Sequence, residues 1–311
     1  VKHLLSSELQ NWSKSLHRYK YLYLLILPSL AYYIIFHYVP LYGVVLAFKN
    51  FRISKGILES PWADPLLRHY SRLFGNPDFW RAVKNTFVIS LLKLVFAFPA
   101  PIVLSLLLNE VPDRLFRKSV QTIMYLPHFI SWVVIGGIMI MMLSRDTGIV
   151  NIFLGHLGVA PNQYITDSFF FRPILVVSDI WKNMGWGTII YLAALSGVDP
   201  FMYEAAIIDG AGRLRILWNV TLPQIRSTIA IMLILNLGRI MNAGFEQIFV
   251  LYSPPVYDVG DIIDTYVYRI GILDMQYSIG TAAGLFKGIV GCIFIVSANR
   301  AIKAMGESGI Y

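Results

Sequence analysis

Ser196-Gly197-Val198-Asp199-Pro200-Phe201-Met202-Tyr203-Glu204-Ala205-Ala206-Ile207-Ile208-Asp209-Gly210-Ala211-Gly212 runs through Arg213-Leu214-Arg215 to Val220-Thr221-Leu222-Pro223, and this stretch decides the fold. Asp199 before Pro200 marks a helix start, because a carboxylate caps free N–H groups and proline suits the first turn. Gly210 and Gly212 supply the residues that end a helix in a left-handed cap. The helix so bounded has about three turns, too short for a bilayer that needs about 20 residues. Ala205 and Ala206 give it a low-profile face, while Phe201, Tyr203 and Ile208 offer apolar knobs and Glu204 and Asp209 offer polar contacts. The pattern alone suits a solvated connector, a helix lying flat on lipid headgroups, or an anchor seated in a partner's groove.

On either side of this stub the chain is strongly apolar. Its 311 residues are 56% hydrophobic and only 14% charged, with 26 Lys+Arg against 18 Asp+Glu. A soluble domain carries about 25% charged residues, so the ionic surface is roughly half of what solubility requires. The apolar residues fall into six blocks near bilayer length, at roughly 22–46, 85–108, 121–143, 173–195, 227–250 and 283–303. The expected organisation is an N-terminal segment 1–20, one membrane domain 21–303 containing the loop 197–224, and a tail 304–311. A secreted disulfide scaffold is excluded, since Cys292 is the only cysteine. The first block is too long for a cleaved signal and lacks an Ala-x-Ala site. Pro28, Pro40, Pro99 and Pro101 fall in or near the blocks, where kinks and not helix ends are expected.

Basic residues orient the spans. With the N-terminus inside, the inner segments hold 12 Lys+Arg against 7 acids, and the longer outer segments hold 10 against 9. That bias puts both termini in the cytoplasm. The +8 charge then belongs to loops facing an anionic leaflet and not to nucleic acid.

The loop also carries a resemblance. Glu204-Ala205-Ala206, three residues, Gly210, nine residues and Val220-Thr221-Leu222-Pro223 resembles the EAA loop of bacterial ABC-importer permeases, with Val220 in place of the usual isoleucine. Further strings resemble the carbohydrate-uptake branch, and within it the oligosaccharide and polysaccharide permeases of the lipoprotein-associated permease B and alginate-importer type. They include Phe36-His37-Tyr38-Val39-Pro40-Leu41-Tyr42-Gly43, Leu126-Pro127-His128-Phe129-Ile130-Ser131-Trp132, Ser178-Asp179-Ile180-Trp181-Lys182, Gly244-Phe245-Glu246-Gln247 and Asp261-Ile262-Ile263-Asp264-Thr265-Tyr266-Val267-Tyr268-Arg269. The resemblance implies an all-α membrane protein of six transmembrane helices in the type I importer fold, in a bacterial inner membrane. It makes the stub a cytoplasmic coupling helix, with Tyr203, Glu204, Ala205, Ala206, Asp209, Gly210, Leu222 and Pro223 contacting an ATPase. The partners it implies are a second, different permease, two ATP-binding cassette subunits that bind ATP and Mg, an external solute-binding protein and an oligosaccharide cargo.

The chain has no Gly-x4-Gly-Lys-Ser/Thr loop to cradle phosphate, so hydrolysis would fall to another chain. No His-Glu-x-x-His, Cys/His cluster or Gly-x-Ser-x-Gly is present, and neither a catalytic residue, a metal nor a resident cofactor is expected. Four Asp in 251–280 lack the spacing of a calcium loop.

Lys93, Asp179, Lys182, Arg239, Glu246 and Lys287 lie inside the apolar blocks, where a charge costs at least about 2.5–3.5 kcal/mol and so faces an interior, a cavity or a partner. Lys287 lies near a span end, where snorkelling to the interface is expected. Asn236, Arg239, Asn242 and Glu246 recur at helical spacing, with Gln247 beside them, and so share a face if the fifth block is one helix. Asp179, Lys182, Asn183 and Trp186 form a second stripe, in which Asp179 and Lys182 are three apart and suited to pair. Each stripe suits a substrate path or helix–helix contact. The excess of basic residues points to an acidic saccharide such as a uronate oligomer, and Trp181, Trp186, Tyr191 and Phe245 are the aromatics near the stripes. A second reading is an ion-coupled secondary transporter using Asp179, Arg239 and Glu246 as a relay, although the inverted repeats of such carriers are not seen.

Overall fold

Seventeen α-helical stretches among the described residues are too many for six straight rods, and the breaks between them shape the molecule. The structure is a computed structural model describing residues 18–304. Most of the expected segment 1–20 and nearly all of the tail 304–311 lie outside the described residues. Among those residues the chain is helical, and its one β-type pairing is an isolated bridge between Lys49 and Trp62.

Four helical runs are long and apolar enough to cross a membrane: α1 (Lys20–Phe48), the pair α3 (Pro77–Phe96) and α4 (Pro99–Asn109) in one run, α10 (Arg213–Gly238) and α13 (Tyr277–Ala304). Between α1 and α3 lies α2 (Arg68–Phe74). A further pair is long and apolar enough only when taken together: α5 (Arg114–Tyr125) with its turn to Phe129, followed by α6 (Trp132–Met142), the two bent by 98°. After α7 (Ile149–His156) comes α8 (Ser168–Ser196), whose 29 residues are ample for a span although Arg172, Asp179, Lys182 and Asn183 make it less apolar. The short helix α9 (Pro200–Ile208) follows it.

Two departures from straight helices have local causes. The bend between α5 and α6 falls at Pro127, and the new helix starts at Ser131, whose hydroxyl accepts from Val134 N at 3.4 Å. Proline removes a backbone donor there and serine caps the restart.

The expected single helix over 227–250 does not form. α10 ends at Gly238, residues 239–244 are irregular, and α11 (Phe245–Leu251) begins after Gly244 at φ +96°. A left-handed residue of this kind is natural for glycine and strained for others. Irregular backbone at membrane depth survives only where protein or a cavity satisfies it. Lys93 does so by donating Nζ to Ala243 O at 2.9 Å. Consequently Asn236, Arg239, Asn242 and Glu246 do not share one helix face.

α8 is the hub, packing against α3, α4, α5 and α10. α13 packs against α2, α10, α12 (Ile263–Val267) and the 42–48 end of α1. The main buried cluster joins Ile89, Phe171, Leu175, Ala243, Ile248 and Leu251, so the hub helix and the break after α10 meet in one core. A second joins Ala47, Leu73, Phe79, Tyr266, Ala282 and Ala283 around α13.

Candidate functional site

α3, α4, α8 and α10 with its break line a cavity of about 490 Å3, to which α4 contributes Pro101. α8 contributes Asp179, Asn183, Trp186 and Tyr191, α3 contributes Ser90 and Lys93, and α10 with its break contributes Asn236, Arg239 and Asn242. Six of the nine residues proposed from the two stripes therefore face one space, brought there by the break as much as by helical periodicity.

The other three do not line it. Lys182 is buried and donates Nζ to the carbonyl oxygens of Pro127 at 3.3 Å, His128 at 2.8 Å and Ile130. Its ammonium thereby holds together the turn where α5 bends into α6. Gln247 is 1% exposed and spends its amide on Leu175 O and Ser178 Oγ, each at 2.8 Å. Glu246 is exposed, on the far side of the break from Arg239. A relay through Asp179, Arg239 and Glu246 has no common space to run through.

Asp179 pairs across the helices and not along its own. Its Oδ1 lies 3.4 Å from Lys93 Nζ and also accepts from Asn183 Nδ2 at 3.2 Å. Lys93 completes its three donors with Ala243 O at 2.9 Å and Gln247 Oε1 at 2.5 Å. This knot ties α3, α8 and the break together, and Lys93 and Asp179 line the cavity. Lys287, placed by the sequence at an interface, instead pairs with Asp264 at 2.5 and 2.7 Å, a carboxylate 23 residues away.

Arg239 differs from every other charge in the cavity wall. Its side chain has no hydrogen bond or ion pair among the described residues, and Asn236 beside it spends its amide on Met232 O at 2.8 Å. Opposite, Trp186 stacks on His128 with ring centroids 4.7 Å apart and planes within 3°. His128 Nδ1 is 3.1 Å from Asn183 Oδ1, which fixes that ring. The sequence assigns His128 no role of its own, although it stands in the family-like string 126–132 and beside Pro127 inside an apolar block. Ser90 was also missed, and its buried hydroxyl has no partner among the described residues. Of the other aromatics, Trp181 lines a separate apolar groove between α6 and α8, and Phe245 does not line the cavity.

The short helix α9 begins as its sequence implies, with Asp199 accepting from Phe201 N at 3.0 Å. Gly210, at φ +72°, ends it in the left-handed conformation, with Ala211 N reaching back to Ala206 O at 2.9 Å. Gly212, at φ −72°, instead precedes the first turn of α10. Phe201 and Ile208 are 74% and 85% exposed, an unusual display of large apolar groups on one stub. Glu204, Ala205 and Asp209 are exposed beside them, while Ala206 is half-buried. Tyr203 is half-buried, with its hydroxyl shielded and unpaired among the described residues. Leu222 is half-buried and Pro223 exposed in the first straight turn of α10, after a π-helical turn at Leu217–Thr221 against which α9 packs.

Residues 97–306 match the family described as binding-protein-dependent transport system inner membrane component. The chain is 44% identical to protein LplB of Bacillus subtilis over 301 residues, covering 97% of this chain and 94% of that protein. It is 46% identical to the polygalacturonan/rhamnogalacturonan transport system permease protein YteP of the same organism, covering 94% of this chain and 90% of that protein. Among solved structures it superposes with TM-score 0.88 and 41% identity on a chain of a bacterial ABC transporter involved in import of the acidic polysaccharide alginate, covering 94% of this chain and 99% of that one. A chain of the alginate transporter in complex with an alginate pentasaccharide-bound periplasmic protein matches with TM-score 0.88 and 40% identity, covering 96% and 99%.

Proposed function

From the premise that the chain belongs to the family of inner membrane components of binding-protein-dependent transport systems, and is a permease subunit of an ABC importer, we propose that it carries an oligosaccharide inward through the cavity between α3, α8 and α10. Both termini lie in the cytoplasm, where α9 docks in a groove of an ATP-binding subunit. A second, different permease completes the pathway. Two ATPase subunits bind ATP and Mg, and an external solute-binding protein delivers the sugar. The transport systems named for the relatives support a saccharide cargo.

The observation that carries the mechanism is a continuity of backbone. α9 is joined through Gly197 to α8 and through residues 209–212 to α10, whose early π-helical turn is 217–221, and these two helices form facing walls of the cavity. When the ATPase subunits close on ATP, a push on Phe201 and Ile208 moves both walls as rigid rods. Helices transmit such displacement because packed interfaces switch between discrete arrangements. The cavity then opens outward, receives the sugar and returns on hydrolysis. The protein makes no covalent change to its cargo.

The test uses the assembled importer in vesicles, comparing ATP hydrolysis with uptake for Glu204→Ala and Gly210→Val. Both variants are expected to assemble and to hydrolyse ATP without stimulation by loaded binding protein, while uptake falls more than about tenfold, one RT ln 10 of lost coupling. Unchanged uptake in both would remove α9 from the coupling path.

A further inference from the structure

We propose that the groove between α6 and α8 is the seat of one acyl chain of a membrane phospholipid, in the leaflet on the side opposite α9. The inference goes beyond the transport reading and uses it only to place the second permease on the cavity side.

Depth comes first. The groove has a volume of about 530 Å3, with Ile138, Met139 and Met142 of α6 facing Pro173, Val177 and Trp181 of α8. Trp181 stands near the middle of α8, Pro173 near its start, and α9 follows its other end. The rise from Pro173 to Trp181 is about 12 Å at 1.5 Å per residue. One leaflet supplies about 15 Å of hydrocarbon, half of a core of about 30 Å. The groove therefore runs from the membrane's middle to one surface, the reach of a single acyl chain.

Its chemistry is that of an alkyl site. Ser178 carries the one hydroxyl in the lining, and its Oγ is already used, donating to Ile174 O at 2.6 Å and accepting from Gln247 Nε2 at 2.8 Å. No hydroxyl is left over for a sugar, and apolar space of this kind does not hold water. Met139 and Met142 give the wall adaptable side chains that follow a flexible chain.

Direction separates lipid from subunit. Val177 and Trp181 each stand two residues from Asp179, about 200° around the helix. The groove is thus on the face of α8 turned away from the cavity. A second permease that completes the pathway sits on the Asp179 face and leaves this one to the bilayer.

α7 marks the headgroup level. Ile149, Ile152, Phe153 and Leu157 recur at helical spacing on one face, each more than half exposed. Asn151 is on the opposite face and is buried, donating to Ser144 O at 2.9 Å and Asn162 O at 3.0 Å and accepting from Asn162 N at 2.9 Å. That anchor holds the apolar stripe outward. A helix displaying such a stripe at the end of a span lies at the boundary of headgroups and acyl chains. Val150, on the same helix, lines the groove beside Leu143 and so closes its outer end.

The test uses the complete transporter in vesicles of phosphatidylcholine and phosphatidylglycerol whose acyl chains carry bromine, a quencher of tryptophan fluorescence. The Trp181 signal is the difference between wild type and Trp181→Phe. Bromine near the chain end should quench it at least about twofold, and bromine near the headgroup less, because Trp181 is at the inner end of the groove. After transfer to lipid-free detergent, which dilutes bulk lipid away, about half or more of the quenching should persist. Val177→Phe with Ile138→Phe fills the groove and should abolish the persistent part. The inference is overturned if neither lipid quenches Trp181, which would put protein over the groove, or if headgroup-side bromine quenches more. It is equally overturned if the quenching vanishes in detergent, if filling the groove leaves it unchanged, or if filling releases the second permease. The wild-type measurements decide the matter even where the filled variant fails to assemble.

Discussion

Lys93 on α3 and Asp179 on α8 face each other at 3.4 Å in the cavity wall, although Lys182 lies one turn from Asp179 on its own helix. The nearer lysine in sequence is occupied by three carbonyl oxygens of the 126–131 turn. Replacing Lys93 by Met leaves the Asp179 charge, the Gln247 oxygen and the Ala243 carbonyl without their shared donor. Breaking a buried pair costs about 3–5 kcal/mol, and the cavity's access to Asp179 lowers that to about 2–3 kcal/mol here. A double-mutant cycle with Asp179→Asn, read by thermal unfolding of the complex, should show a coupling energy of at least about 1 kcal/mol. Simple additivity would show that the pair is not coupled.

Lys182 makes a different prediction because its partners are backbone. Lys182→Met keeps the stem's volume but strands the carbonyls of His128 and Ile130 at the 98° bend, while Pro127 O keeps the Ile130 N–H at 3.2 Å. Unsatisfied buried acceptors cost about 1–3 kcal/mol, so the apparent Tm of the complex should fall by several degrees. Hydrogen exchange at Ile130 to Trp132 should accelerate before exchange in α8 does. Equal acceleration throughout α8 would assign Lys182 to general stability and not to the bend.

The short helix was legible because all its determinants are local: Asp199 and Pro200 open it, Gly210 closes it, and no distant contact is needed. For the same reason the apolar blocks at 22–46, 85–108 and 283–303 fall inside long apolar helical runs. The break after Gly238 was not legible, because Arg239, Asn242 and Glu246 keep helical spacing while the decisive donor, Lys93, is 150 residues from Ala243. Gly244 was its one local signal. Partner choice among charges was likewise hidden: an i,i+3 pairing of Asp179 with Lys182 is sound helix chemistry, but three carbonyls gathered at a bend offer the ammonium more than one carboxylate does. His128 needed the same bend before its ring could reach Trp186.

Arg269 grips Asp261 with both fork nitrogens, at 2.6 and 3.1 Å, and its guanidinium lies 5.0 Å from the Tyr257 ring centre and 5.9 Å from that of Tyr266. Asp261 is fully buried, and its carboxylate holds the Arg269 pKa above the ordinary arginine value. Arg269→Leu should therefore destabilise the 257–273 region by about 3–5 kcal/mol, since it strands a buried carboxylate. Arg269→Lys should recover part of this and no more, having neither the fork nor the planar face. Proteolysis of the loop under native conditions reads the effect. A lysine variant as resistant as wild type would reduce Arg269 to a simple point charge.

His69 ties the first loop to the molecule in a way that depends on pH. Its Nε2 is 3.1 Å from Lys49 O, and since a carbonyl only accepts, Nε2 carries the hydrogen. Nδ1 is buried without a partner among the described residues and is the bare nitrogen of the neutral ring. Burial, then the positive charges of Arg72 and Arg68, lower the His69 pKa despite the bond to Lys49. A lowered folded-state value means that the unfolded chain takes its proton first as pH falls. The stability His69 contributes is thus complete above about pH 6.5, the ordinary histidine value, and drains away as pH drops through the folded-state value. The same Lys49 carbonyl accepts from Ser278 Oγ at 2.6 Å, so loosening His69 weakens the seat of the loop on α13. Thermal unfolding of the complex at pH 7.5 and 5.5 should show a larger acid-induced loss for wild type than for His69→Gln, which keeps a donor and does not titrate. Identical losses would place the acid sensitivity elsewhere, in the carboxylates both proteins share.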